Sequence, residues 1–159
     1  MTRINLVPPQ ELMDQHLFAE FREIKMIPKS LRRSLRAAWQ REFDKNDSND
    51  FAEQRAKLAM DTVLKKIPKS FTLNTGHVSF FYDKTIYLKK RYNLIKEELR
   101  KRGINFDETS ELDPDGVFTE VDKRFHNDYI PTEEAFSIIR SRIAEKIAMK
   151  PDWYRHTGF

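Results

Sequence analysis

The chain has 159 residues, of which 39% are hydrophobic and 34% charged, so it is long and apolar enough to bury a core and is not a disordered polymer. Its net charge of +4 favours a polyanionic partner such as a nucleic acid but does not prove one. Because it has no cysteine, it cannot use disulfides, thiolate nucleophiles or cysteine-bound zinc.

The start of the chain carries the most specific chemical signal. Thr2 follows the first methionine, and a small hydroxyl residue there usually allows that methionine to be removed. The chain then begins with the α-amine of Thr2, whose ordinary pKa of about 7.7–8.0 leaves a usable fraction neutral and nucleophilic at physiological pH. An amine that forms an imine with a sugar aldehyde, together with a carboxylate such as Glu23 that manages protons, is a complete small catalyst.

The first helix is predicted to open at Pro8-Pro9, because proline is tolerated in a first turn, and to end at Pro28. Its apolar stripe consists of Met13, Leu17, Phe21 and Ile24. A second helix is predicted from an i, i+4 stripe of Leu31, Leu35, Trp39 and Phe43. That stripe is surrounded by Arg32, Arg33, Arg36 and Arg41, and the excess of the first three over nearby acids favours a phosphate-tracking surface over a solvated face.

The polar residues of the first helix differ in direction. Glu23 flanks the apolar stripe on the line of His16, whereas Arg22 points nearly opposite the stripe, toward solvent or ligand. Glu20 lies nearer the centre of the stripe, which favours a structural role paired to an arginine over chemistry. His16 is more often a satisfied helix histidine than an acid–base group, but it flanks Glu23 and is therefore a candidate catalytic residue.

An extra helical segment is predicted at about residues 44–68. Residues 44–50 form a polar loop, and Asp50 with Glu53 resembles a capping box that opens a third helix to about Lys66. The longest apolar pattern then runs over residues 76–103, where Gly103 is expected to end a helix as its C′ residue. His77, at the start of that pattern, is expected to be a helix-start or packing residue.

Residues 104–128 are turn-rich, and Thr132 is predicted to cap a last helix that ends shortly before Pro151. With only 4 glycines and long helical periods, we expect an all-α fold, a compact single-domain irregular helix bundle over residues 1–159. The histidines lack H-x-x-x-H spacing, and no apolar run approaches the roughly 18 residues of a membrane span. We therefore expect a cytoplasmic protein without a metal site.

Several stretches, in matching order, resemble the phage-type pyrimidine-dimer DNA glycosylases, small UV endonucleases that also have abasic-site lyase activity. Together they touch both ends of the chain, which is more specific than any single motif. The stretches are Thr2-Arg3-Ile4-Asn5-Leu6, Glu11-Leu12, Asp14-Gln15-His16-Leu17, Ala19-Glu20-Phe21-Arg22-Glu23, Gly76-His77-Val78-Ser79-Phe80-Phe81-Tyr82-Asp83-Lys84, Asp128-Tyr129-Ile130-Pro131, Glu145-Lys146-Ile147-Ala148 and Pro151-Asp152-Trp153-Tyr154.

The resemblance implies a mechanism without a cofactor, on double-stranded damaged DNA, by a monomer. It implies that the Thr2 amine attacks the sugar carbon that bears the damaged base, and that Glu23 stabilises the cationic imine and assists β-elimination. The residues that it places near DNA phosphates are Arg3, Arg22, Arg142 and Lys146. Trp153 and Tyr154 are equally suited to pack against the first helix and to touch a base.

The chain departs from the family pattern in three places. Met26 stands where the family has an arginine, and Lys25 is the candidate to replace it as a substrate-binding residue. Residues 29–69 align poorly, and the aromatic run after Tyr154 is shortened. Two alternatives follow: the same imine chemistry on another lesion, such as an oxidised or ring-opened base, and a non-catalytic DNA-binding homologue.

Overall fold

The computed structural model describes residues 4–45 and 52–157, and within them the secondary structure is helical without a β-strand. The α-helices are α1 (Asp14–Glu23), α2 (Met26–Lys45), α3 (Ala52–Lys65), α4 (Thr85–Lys101), α5 (Val117–Glu120) and α6 (Glu133–Met149). Short 3₁₀ turns lie at Pro9–Glu11, Ser79–Phe81 and Lys123–Phe125. This confirms the expected all-α fold, and no described helix is long and apolar enough to cross a membrane.

The predicted bounds of the first helix were wrong at both ends. The two prolines lead into a 3₁₀ turn, and α1 itself starts only at Asp14 and ends at Glu23. Pro28 does not end a helix, because it is the third residue of α2. The first N–H groups of a helix have no partner within it, so a proline in that turn costs no hydrogen bond. The chain therefore bends between Glu23 and Met26 rather than at Pro28.

Two later ends were predicted from local signals and are confirmed. Gly103, with φ of 70°, follows α4. Its N–H donates to the Arg100 carbonyl while that of Ile104 donates to the Leu99 carbonyl, which is the hydrogen-bond pattern of a Schellman motif. At the start of α6, the hydroxyl of Thr132 accepts a hydrogen bond from the backbone N–H three residues later.

The periodicity of residues 76–103 predicted one continuous helix, but the structure has two separate elements there. The 3₁₀ turn at Ser79–Phe81 comes first, and α4 begins only at Thr85. Between them, Lys84 leaves the helical region, with φ of −125° and ψ of 47°, and forms an isolated bridge with His126. A contact with a distant part of the chain thus interrupts a locally helical pattern.

Helix α3 (Ala52–Lys65) is the helix that the sequence predicted in the extra segment at about residues 44–68, and it packs against α2 (Met26–Lys45) to form the α2–α3 hairpin. Small or branched side chains, Ala38, Ala59 and Val63, are buried between its helices and allow their close approach. The predicted capping box at Asp50 and the loop over residues 46–51 lie outside the described residues.

Residues 4–7 lie between α1 and α4, held by a buried ion pair that joins the two helices. Arg91 of α4 donates to both carboxylate oxygens of Glu20 at 2.6 and 3.0 Å, and to the Leu6 and Val7 carbonyls at 3.2 and 2.6 Å. The Glu20 and Arg91 side chains are 0% and 3% exposed. The predicted structural pairing of Glu20 with an arginine is therefore confirmed.

Replacing Glu20 by alanine is expected to lower the free energy of unfolding by about 3–5 kcal/mol, because the Arg91 charge would stay buried without its counter-ion. Urea unfolding at neutral pH measures this loss. Glu97 lies exposed on α4 and provides the control, since its replacement by alanine is expected to change stability by about 0.5 kcal/mol or less. Equal stability of the two variants would show that the Glu20–Arg91 ion pair does not contribute this free energy of unfolding.

Candidate active site

The N-terminal anchor, which comprises residues 4–7 with Glu20, His77 and Arg91, positions the start of the chain. Asn5 donates from its backbone N–H and its side-chain amide to one oxygen of Glu20, at 3.0 and 2.9 Å. The Ile4 N–H donates to Nε2 of His77 at 3.2 Å. The other His77 nitrogen, Nδ1, lies 2.8 Å from the Thr72 carbonyl, so the proton belongs on Nδ1.

The direction of residues 4–7 follows from two fixed points on α1. Arg102 holds the Pro9 carbonyl and the Asp14 carboxylate, at 3.1 and 2.9 Å, beside the first turn of α1. Asn5 is held by Glu20, which lies in the last turn of α1. The chain traced backward from Pro9 therefore runs along α1 toward its C-terminal end. Ile4 is fully buried there.

Thr2 and Arg3 lie outside the described residues. Ile4 is the first described residue after Thr2 and Arg3, and an extended chain covers at most about 3.6 Å per residue.

Glu23 and His16 share one flank of α1, with Glu20 between them, because residues spaced three, four and seven apart fall on one side of a helix. Glu23 is half-buried and ends the helix. Arg22 is exposed and lies over the Phe18 ring at 5.5 Å, so it faces another side of α1. The flank with Glu23 is the one along which residues 4–7 run.

The structure places Lys25 away from that flank. Its ammonium donates to the Ser110 hydroxyl at 2.5 Å and lies 4.3 Å from the centre of the Phe21 ring. Burial lowers the pKa of Lys25, while the nearby Asp107 carboxylate opposes that shift. Lys25 is thus not brought together with Glu23, and its role as a substitute for the family arginine stays a prediction.

The C-terminal tail, residues 150–157, packs over His16. The Tyr154 ring stacks on His16 with centroids 4.5 Å apart, and neither His16 nitrogen has a hydrogen-bond partner among the described residues. The tail is held to the start of α1 because Gln15 bonds to the Trp153 carbonyl and to the Arg155 N–H. Tyr154 therefore packs against α1. Trp153 is 56% exposed and keeps its ring available to a ligand.

Helix α6 brings the two predicted cations toward the same region. Arg140 of α6 forms an ion pair with Glu11 at 3.0 Å, which places α6 beside the turn that precedes α1. Arg142 is exposed, forms a 3.5 Å ion pair with Glu145, and lines a groove of about 420 Å³ that also contains Asn74. Arg142 and Lys146 are one turn apart on α6, and the groove places Arg142 beside the loop that precedes His77.

Burial lowers the pKa of His16 to about 4, and the charge of Lys146 adds to that effect. His16 is therefore neutral at physiological pH. Because its folded-state pKa lies below its ordinary value, protonation favours the unfolded chain. The stability that neutral His16 contributes is complete above about pH 6.5 and is lost as the pH falls to about 4.

The variant His16→Phe keeps a ring to stack on Tyr154 but cannot be protonated. We expect its Tm to fall less than that of the wild type when the pH is lowered from about 7 to about 4.5. Thermal unfolding at a series of pH values measures this difference. Parallel Tm curves for the two proteins would show that His16 does not titrate in this window.

Arg91, which positions residues 4–7, is a residue of the N-terminal anchor that the sequence analysis did not identify. It is one of many basic residues on a helical pattern, but it lies between the buried positions Leu88 and Tyr92. A charged residue on the buried face of an amphipathic helix is a usable signal, since such a group is retained only when it is paired.

Residues 1–112 match a family model described as pyrimidine dimer DNA glycosylase. The matched range holds the N-terminal anchor, all of α1 and the α2–α3 hairpin. It ends before α6, so Arg142, Lys146 and the C-terminal tail lie beyond it.

Proposed function

The chain belongs to the pyrimidine dimer DNA glycosylase family, and on that premise we propose that it excises UV-induced pyrimidine dimers with the α-amine of Thr2. Family membership makes DNA the substrate and glycosylase chemistry in DNA repair the activity. The proposal adds the nucleophile, the imine that it forms with the sugar, and a subsequent strand cut at the abasic site.

In the proposed reaction, the neutral amine attacks C1′ of the damaged nucleotide, and the base leaves with the electron pair of the glycosidic bond. Opening of the sugar ring gives a protonated imine between the Thr2 nitrogen and C1′. The Glu23 carboxylate stabilises this cation and assists removal of a proton from C2′. The electrons of that C–H bond then expel the 3′ phosphate, and water releases the enzyme from the imine.

The observation that carries this proposal is the path of residues 4–7. They run along the Glu23 flank of α1 and end at a fully buried Ile4, held by His77. The remaining two residues are short enough to keep the Thr2 amine near that end of α1. Since the amine and Glu23 supply both functions of the reaction, the proposed mechanism needs no metal or cofactor.

Borohydride trapping tests this function. It reduces an enzyme–DNA imine to a stable covalent adduct, and the panel has duplexes with a cyclobutane dimer, an abasic site, a ring-opened purine or no lesion. We expect adducts with the dimer and the abasic site only. Trapping on the ring-opened purine instead of the dimer would assign the same chemistry to another lesion. If no duplex is trapped, the protein is a non-catalytic DNA-binding homologue.

Neutralising Arg142 and Lys146 together is expected to weaken binding of damaged and undamaged DNA alike. The slope of log K against log salt should fall by about one for each phosphate contact that is lost. Neutralising Arg22 is instead expected to reduce single-turnover cleavage more than affinity, because the family resemblance implies that it lies beside the reacting sugar, although its side chain faces another side of α1 from Glu23. A wild-type salt slope in the Arg142/Lys146 variant would show that α6 does not face DNA.

We further propose that the protein works as a monomer in the cytoplasm of a bacterial cell or phage-infected host, where its DNA substrate lies. Sedimentation of the protein with and without duplex tests the monomeric state, since a lesion confined to one strand does not require two copies. A stable dimer bound to one lesion would contradict it.

A further inference from the structure

A groove that carries two cations, Arg41 and Lys66, lies in the α2–α3 hairpin. It has a volume of about 300 Å³ and is bounded by α2, α3 and the 3₁₀ turn at Ser79–Phe81. Its polar side chains are those of Ser34, Arg41, Thr62, Lys66, Ser79 and Tyr82. Ala37 and Ala38 also line the groove, and their small side chains leave room in it.

The cations of this groove have no acidic partner within the part of the chain that the structure describes. Arg41 and Lys66 are exposed, neither forms a salt bridge within the described residues, and no carboxylate lines the groove. Three other grooves each place a carboxylate beside a cation. The residues that line the same groove in those cases are Arg142 with Glu145, Lys69 with Glu134 and Arg36 with Glu120. The groove of the hairpin is thus selectively suited to an anion.

The hydroxyl groups add donors of the kind that contact phosphate. The Tyr82 hydroxyl lies 2.6 Å from the Ser30 hydroxyl and 3.2 Å from that of Ser34, so the three hydroxyl groups are hydrogen-bonded to one another, and those of Ser34 and Tyr82 line the groove. Arginine, lysine and hydroxyl side chains together are the usual contacts of a DNA backbone, where they position the duplex without reading its sequence.

The groove adjoins the same turn as the N-terminal anchor. Ser79 lines the groove, and His77, two residues earlier, holds the Ile4 N–H. Arg41 lies fifteen residues after Met26, the first residue of α2. It is therefore about 22 Å along the helix axis from the end of α2 that follows Glu23. At about 3.4 Å per nucleotide along one strand, this distance corresponds to roughly six nucleotides.

We propose that the groove of the α2–α3 hairpin binds the sugar-phosphate backbone of the duplex about six nucleotides from the lesion. This inference rests on the proposed function, since it takes the lesion to lie at Glu23. It gives the extra hairpin a purpose: the hairpin extends the DNA contact beyond the residues that surround the reacting sugar. Arg41 and Lys66 would each neutralise one phosphate.

The test compares two double variants that each remove two positive charges from exposed positions. Arg41→Gln with Lys66→Gln removes the groove cations. Lys57→Gln with Lys89→Gln removes exposed cations of α3 and α4 that do not line the groove and is the matched control. Glutamine keeps the helix propensity of the replaced residues, and thermal unfolding verifies that all proteins are folded.

Each protein is titrated with two duplexes that carry a reduced abasic site, which cannot react. One has about 24 base pairs with the lesion central, and the other ends roughly three base pairs from the lesion on each side. The groove variant is expected to bind the long duplex more weakly, with a salt slope lower by about two, and to bind the short duplex like wild type. The control variant should keep the wild-type salt slope on both duplexes.

An unchanged slope in the groove variant would overturn the proposal, as would an equal loss in the control variant or on the short duplex. Failure of the proposed function is seen separately, as absence of borohydride trapping by the wild type. If the wild type is trapped and the groove variant keeps the wild-type salt slope, the proposed function is supported and only the proposed DNA contact in the groove is overturned.

Discussion

The variant Glu23→Gln is expected to cleave the glycosidic bond at least roughly 10²-fold more slowly than wild type in a single turnover. Glutamine has nearly the same size but no negative charge, so it can neither stabilise the cationic imine nor accept a proton. Glu23 is half-buried on the flank of α1 beside residues 4–7, where an electrostatic contribution is less screened than in open water.

Affinity for dimer-containing DNA is expected to stay within a few-fold of wild type, because the change removes a charge that repels phosphate. Single-turnover cleavage and equilibrium binding on the same duplex measure the two effects. Glu97→Gln, on the exposed face of α4, makes the same chemical change away from the site and should leave both quantities unaltered. A Glu23→Gln enzyme within a few-fold of the wild-type rate would place proton management on another residue.

Blocking the N-terminal amine is expected to abolish both borohydride trapping and strand cleavage. Acetylation removes the nucleophilic lone pair, and one residue added before Thr2 moves the amine by up to about 3.6 Å. The variant Thr2→Ala should instead keep much of the activity, since the nucleophile belongs to the backbone. Intact-mass measurement establishes, for each preparation, whether Met1 has been removed.

The affinity of the blocked enzyme for undamaged DNA provides the control. It should remain close to that of the unblocked enzyme, because most phosphate contacts lie elsewhere. Full activity after complete acetylation would rule out the Thr2 amine and direct attention to a lysine side chain. The amine is the preferred candidate because its ordinary pKa lies more than two units below that of lysine, at about 7.7–8.0 against about 10.4.

Helices were predictable where local sequence and tertiary packing agree. The third helix, Gly103 at the end of α4 and the Thr132 cap of α6 all follow from periodicity or from a single backbone requirement. The errors arose where one residue type has two uses. Proline both ends helices and begins them, and only the position of the bend after Glu23 decides which applies at Pro28.

The candidate site was predictable only in part, for a related reason. Helical spacing correctly placed His16 and Glu23 on one flank of α1, since that relation is local. The contacts of Lys25 with Ser110 and of Glu20 with Arg91 join residues 85 and 71 positions apart. No periodicity within one helix identifies such partners. The sequence indicated that Glu20 needs an arginine but not which one.

The N-terminal anchor also has a consequence for the order of folding. It joins Ile4 to His77 and Leu6 to Arg91, which are 73 and 85 positions apart. Contacts over such separations carry a large loop-closure entropy and form after nearer ones. We therefore expect the reactive end of the chain to be locked into place late. During refolding, recovery of imine trapping should lag behind recovery of helical circular dichroism, so catalysis reports native assembly rather than helix formation.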